Sequence, residues 1–120
     1  MSDLFRLDDA ALPSQDHGVR VLAAAGELDI GGVEEFHRRL EAGGQGGLSP
    51  VVLDLRRLEF IDSSGLAALV KASAPTSELA LVIRPGSQVA RILELAGIEQ
   101  VLSLFEDLDQ AVDALTQPKG

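Results

Sequence analysis

Two short, almost unbroken apolar runs, Val51 to Leu55 (VVLDL) and Leu79 to Ile83 (LALVI), constrain this chain more than any other feature. Runs of this length suit strands covered on both faces, the condition of the interior of a parallel sheet. Each run is followed by residues at helical spacing. After the first, Leu66, Leu69, Val70 and Ser73 share one helical face until Pro75 ends the pattern. After the second, the turn-forming Pro85-Gly86 precedes a stripe of Val89, Ile92, Leu93 and Ala96, with Gly97 placed to follow the last helical turn. Parallel neighbours need such crossovers, so the two runs and their helices already demand a layered α/β architecture.

The flanks extend the pattern. Leu4 to Leu7 reads as a first strand, Pro13 to Gly18 as a turn, and VRVLAAAGELD from Val19 as a second strand, so the chain opens with a hairpin. Val33, Phe36 and Leu40 then lie at helical spacing, with Glu34, Glu35, Arg38 and Arg39 on other faces, until Gly43-Gly44-Gln45-Gly46-Gly47 stops the helix. A short strand around Val101 to Leu104 precedes a last helix in which Leu108, Ala111, Val112 and Leu115 face inward. The predicted order is β-β-α-β-α-β-α-β-α, a mixed but mostly parallel sheet with helices packed against it. At 120 residues the chain fits one domain, residues 1–120 with its core from about residue 4 to residue 116.

Composition narrows the function. Ten Lys and Arg against nineteen Asp and Glu give a formal charge of −9, a field that repels nucleic acid and anionic lipid and favours protein partners. With four Phe and no Trp or Tyr, stacking on bases has almost no side chains to use. The absence of cysteine removes disulfides and thiolate metal sites. The acidic start MSDLFRLDD lacks the basic, then apolar, pattern of a secretion signal, and no apolar run approaches the 18 or so residues of a membrane span, so a cytoplasmic protein is expected.

Several motifs invite chemistry that their context does not support. A phosphate loop joins a strand to the N-terminus of the next helix, whereas GGQGG follows a helix and lacks the Gly-Lys-Ser/Thr ending. It reads as a flexible helix-to-strand connection. His17, in a turn, and His37, in a helix beside Arg38 and Arg39 where a solvated position is expected, are the only imidazoles, and with no cysteine a metal site would have to rest on carboxylates scattered over a generally acidic surface, so none is expected. No Gly-x-Ser-x-Gly elbow surrounds Ser63 or Ser64, and Asp54 and Asp62 as an acid–base pair would have one member in an apolar strand. No enzyme activity and no cofactor are expected of this chain.

The remaining motif is FIDSSGL, Phe60 to Leu66, where a strand gives way to a helix. Asp62 suits an N-cap, its carboxylate accepting from the amide of Ser64 or Gly65. A cap does not by itself explain hydroxyls at the C-terminal end of a parallel strand, the edge where open α/β sheets place functional groups. A Ser there is aimed outward beside a helix N-terminus that tolerates phosphate.

Gly26-Glu27-Leu28-Asp29-Ile30 before an amphipathic helix, then VVLDL, then FIDSSGL, resembles the bacterial anti-sigma factor antagonists of the STAS domain family. The resemblance spans nearly the whole chain in element order. It implies a switch module that binds, when unphosphorylated, an anti-sigma factor, a serine kinase with a histidine-kinase-like ATP fold, and so frees a sigma factor. It implies phosphorylation of Ser63, with Ser64 the second candidate, and reversal by a metal-dependent serine phosphatase. ATP would be held by the partner kinase. The same resemblance puts Asp29 near Ser63 at the end of the second strand, in a partner surface with Asp62, Ser63, Ser64 and Gly65; Asp29 also reads as the N-cap of the first helix. The alternative is an unswitched STAS interaction subunit of a transporter or signalling scaffold.

Overall fold

The two apolar runs pair with each other in parallel, Val51 opposite Leu79 and Asp54 opposite Val82, at the middle of a five-stranded sheet. A computed structural model describes residues 5–9, 18–42, 50–72 and 78–116. The elements run β1 (Arg6–Asp9), β2 (Arg20–Leu28), α1 (Val33–Ala42), β3 (Val51–Ile61), α2 (Ser63–Ala72), β4 (Leu79–Val82), α3 (Gln88–Leu95), a 3-10 turn (Ile98–Gln100), β5 (Ser103–Phe105) and α4 (Leu108–Thr116). This is the order the sequence predicts. The strands lie in the order β1-β2-β3-β4-β5, with β1 antiparallel to β2 and every other pair parallel.

That order decides where the helices go. Successive parallel strands are added in one direction, so crossovers of the same right hand put every connecting helix on the same face. The core agrees. Phe36 and Leu40 of α1, Ala68, Leu69 and Ala72 of α2, and Val89, Ala90 and Leu93 of α3 pack in one cluster with Leu22, Leu53 and Leu81 of the sheet. The opposite face is covered by α4, where Ala111 and Val112 meet Val21, Val52, Ala80 and Val82. Adjacent residues such as Val52 and Leu53 thus serve different layers, which is why these strands are apolar at successive positions.

Four elements differ from the sequence expectation, each for a physical reason. The first strand is Arg6–Asp9, shifted from Leu4 to Leu7, because only Leu7 points into the core while exposed Arg6, Asp8 and Asp9 are tolerated on an edge strand. The third strand continues past Leu55 to Ile61. Its register with β2 slips between Ala23 and Ala25 and again between Gly26, at φ 89°, and Glu27. These bulges bring Leu55, Leu58 and Ile61, three apart, to the same core, and that spacing hides the strand from any search for alternation. In α2 the buried face is Gly65, Ala68, Leu69 and Ala72, whereas Val70, expected inside, is 43% exposed and Leu66 is only half-buried. Small residues carry this face because they let α2 approach its neighbours, so the large side chains alone misplace the phase. The fifth strand is Ser103–Phe105, not Val101 to Leu104; Val101 lies at the end of the 3-10 turn and is exposed.

Arginines close the sheet edge. Arg20 donates from Nη1 to the Leu40 carbonyl at 2.7 Å, from Nη2 to the Arg39 carbonyl at 2.9 Å and from Nε to Asp9 Oδ1 at 3.1 Å. Arg39 donates to the Leu7 carbonyl at 2.9 Å and to Asp8 at 3.1 Å. The last carbonyls of α1 and one free carbonyl of β1 are thereby satisfied together. The GGQGG segment and His17 lie outside the described residues.

Candidate functional site

The strand order never reverses, so the sheet opens no crevice between diverging crossovers of the kind that holds small ligands. What its C-terminal edge offers is the junction of two loops. Leu28, the last residue of β2, pairs with Ile61, the last of β3, so the loops leaving these strands start side by side. The Asp62 amide donates to the Leu28 carbonyl at 3.3 Å, lacing them together.

Asp62 is the N-cap of α2: Oδ1 accepts from the Gly65 amide at 3.0 Å and its carbonyl accepts from Leu66 at 2.9 Å. Of the two amides expected as donors, Gly65 is the one used. Gly65 itself stands where a side chain cannot. A Cβ there would collide with the Leu28 carbonyl oxygen and lie 2.6 Å from Ile61 Cγ1, so the first turn of α2 rests directly on the ends of both strands. Ser63, the first helical residue, is exposed, and Ser64 is half-buried. Of the two serines, the one at position 63 is the more accessible.

Asp29 follows Leu28 immediately and opens a tight turn. Its Oδ1 accepts from the Gly31 amide at 3.0 Å and its carbonyl from Gly32 at 2.9 Å. The expectation that Asp29 is the N-cap of α1 is corrected: the first helical carbonyl is that of Gly32, which accepts from Phe36 at 2.9 Å, and the Asp29 carboxylate is spent on a turn before the helix begins. Gly32 is confined as well, since a Cβ there would lie 2.8 Å from Phe5 Cβ. The Leu28 contacts with Asp62 and Gly65 thus set the start of the Asp29 turn against the start of α2.

Glu27, Asp29 and Asp62 are half-buried at this edge, and among the described residues none has an ion pair with a Lys or Arg. The surface around Ser63 is acidic. It also carries a feature the sequence reading passed over: Ile30, at the tip of the turn, is 76% exposed. The signal was present in the order Asp-Ile-Gly-Gly, where a large apolar residue sits in a turn too short to give it anything to pack on.

The other polar candidates have structural partners. Asp54 lies in a fork with Arg56, whose Nε and Nη2 donate to its two oxygens at 2.9 and 2.7 Å. Partial burial alone would raise the Asp54 carboxyl; the hydrogen bonds and charge of Arg56, with Arg57, outweigh it and hold the group below the usual carboxylate range. A carboxylate held in that state with both oxygens occupied makes a poor proton acceptor. His37, expected to be solvated, is half-buried with its ring 5.6 Å from that of Phe36. Among the described residues no three His, Cys, Asp or Glu side chains gather as metal ligands, and no helix is long and apolar enough to cross a membrane.

The family model of the STAS domain matches residues 11–111. An anti-sigma-F factor antagonist, RsfB of Mycobacterium tuberculosis, is 29% identical over 116 residues, covering 94% of this chain and 93% of that protein. Among solved structures, an anti-sigma factor antagonist from Mycobacterium paratuberculosis superposes with a TM-score of 0.76 at 23% identity, over 93% of this chain and 96% of the other. The anti-sigma factor antagonist SpoIIAA in its unphosphorylated form does so with a TM-score of 0.62 at 19% identity, over 97% and 99% of the two chains. The mixed sheet, the helix-capping DSSGL junction and the match over most of the sequence place this chain in the STAS domain family.

Proposed function

We propose that this chain is a phosphorylation-switched anti-sigma factor antagonist: unphosphorylated, it binds a serine-kinase anti-sigma factor and releases a sigma factor, and phosphate on Ser63 ends that complex. The observation that carries the reading is the setting of Ser63, exposed at the first position of a helix capped by Asp62, on a surface where Glu27, Asp29 and Asp62 have no ion pair with a Lys or Arg among the described residues. The name of the M. tuberculosis relative supports the same role.

The mechanism is electrostatic. A phosphoserine carries about −1.5 to −2 charges at neutral pH, and the open amides of the first helical turn offset part of this, so modification leaves the fold standing. The added anion falls instead on the docked partner. Beside an already acidic rim it fills space in a fitted interface and changes the charge the partner must meet; about 2.7 kcal/mol lost there lowers affinity roughly a hundredfold. ATP belongs to the kinase, whose γ-phosphoryl group passes to the Ser63 oxygen while the hydroxyl proton leaves to a base on the kinase. A metal-dependent serine phosphatase resets the switch.

The test uses each histidine-kinase-like anti-sigma factor of the host, purified, with ATP. One of them adds a single phosphate to the wild type and none to Ser63→Ala, as mass spectrometry reads. Ser63→Ala keeps its affinity for that kinase while Ser63→Glu loses at least tenfold by calorimetry. Phosphorylation of Ser63→Ala at the wild-type rate overturns the site, and equal affinities of the two variants overturn the switch. A wild type that binds none of these kinases and is never phosphorylated favours an unswitched interaction subunit.

A further inference from the structure

Four large apolar side chains stand out in solvent among the described residues: Ile30, Val70, Leu95 and Val101. Leu95 and Val101 flank the 3-10 turn after α3, the end of a crossover helix that has run back to the N-terminal edge of the sheet, opposite Ser63. Val70 belongs to the last turns of α2. Ile30 alone stands at the C-terminal edge, in the turn that directly follows Leu28, and Leu28 is the residue that both Asp62 and Gly65 touch.

We propose that Ile30 is the apolar anchor by which this chain docks on its kinase partner, seating in an apolar pocket rimmed by Lys or Arg beside the kinase's active site. The inference rests on the functional reading above and adds a residue that sets affinity and partner choice. Its side chain, 76% exposed, is largely outside the fold's own packing and free to meet a partner. Its presentation is rigid. The turn is tied at both ends by the Asp29 carboxylate and carbonyl, and Gly32 behind it is pressed against Phe5, so little freedom remains to be lost on binding. The rim of Glu27, Asp29 and Asp62, free of basic partners among the described residues, gives the complementary pocket its positive sign. An exposed apolar side chain inside a polar rim is the arrangement from which interface hot spots are made. Because the anchor and Ser63 leave the paired ends of neighbouring strands, seating the first adds to the affinity with which the kinase takes the second as substrate.

The experiment compares wild type, Ile30→Ser and Ile30→Leu as substrates and ligands of the purified kinase identified with the wild type. Ile30→Ser is expected to raise KM for phosphorylation at least tenfold with kcat within twofold, and to weaken binding without ATP at least tenfold. Ile30→Leu restores both to within about threefold, and the thermal midpoints of all three agree because the side chain is exposed. Wild-type kinetics and affinity for Ile30→Ser overturn the anchor and leave the switch at Ser63 standing. A fall in kcat with KM unchanged, or no rescue by Leu, also overturns it. If no host kinase binds or modifies the wild type, the functional reading fails and the anchor falls with it.

Discussion

Gly65 shows how much one missing Cβ can hold in place. A methyl group there must push the Leu28 carbonyl or Ile61 out of position, and neither can yield cheaply, one being backbone and the other a side chain 1% exposed. Gly65→Ala is therefore expected to lower the unfolding free energy by about 1–3 kcal/mol despite the gain in helix propensity, as denaturant titration reads. An unchanged midpoint would mean that α2 can stand off from the strand ends at no cost. The same residue scale separates the two serines: helical geometry turns Ser63 to solvent and Ser64 partly inward, a distinction the repeated Ser-Ser leaves open.

At the scale of the element, the helices begin with different caps doing similar work. Asp62 Oδ1 accepts from Gly65 in α2, Ser87 Oγ from Ala90 at 3.0 Å in α3, and Asp107 Oδ1 from Asp109 and Gln110 at 2.8 and 3.2 Å in α4. Removing one such cap costs about 1 kcal/mol. Asp62→Ala and Ser87→Ala are thus expected to lose similar stability, while only Asp62→Ala, at the acidic edge, also changes the rate at which the kinase modifies Ser63. Chemical denaturation and a phosphorylation time course on both variants test this. Equal phosphorylation rates would reduce Asp62 to a cap and nothing more.

For the whole molecule, the Asp54–Arg56 fork predicts a pH dependence. The Asp54 carboxyl is lowered from 3.8 in the folded chain, so the unfolded chain binds the proton more readily. Its contribution to stability is complete above about pH 4 to 5 and is lost as pH falls through the folded value. Asp54→Asn should therefore destabilise the protein at neutral pH and lose stability less steeply on acidification below about pH 4, in thermal melts across that range. A variant whose acid limb parallels the wild type would remove Asp54 from the account.

Local pattern was enough to read the element order, the mostly parallel sheet, the hairpin, the α4 face and the capping junction at Asp62, because apolar spacing, turn residues and caps mark each element along the chain and the alternation of strands with helices implies parallel pairing. Val51 to Leu55 and Leu79 to Ile83 carry their burial on their face, and DSSGL carries its cap. Tertiary structure decided the rest. Only pairing with β2 reveals the bulges that extend β3 to Ile61 and set Leu55, Leu58 and Ile61 on one side. Only the approach of α2 to Leu28 explains why its buried face is built on Gly65, Ala68 and Ala72, and turns Val70 outward. The join of Asp29, Ile30 and Ser63 at one edge is likewise a product of strand register, since residues more than thirty positions apart in sequence become neighbours through backbone contacts that no local pattern encodes.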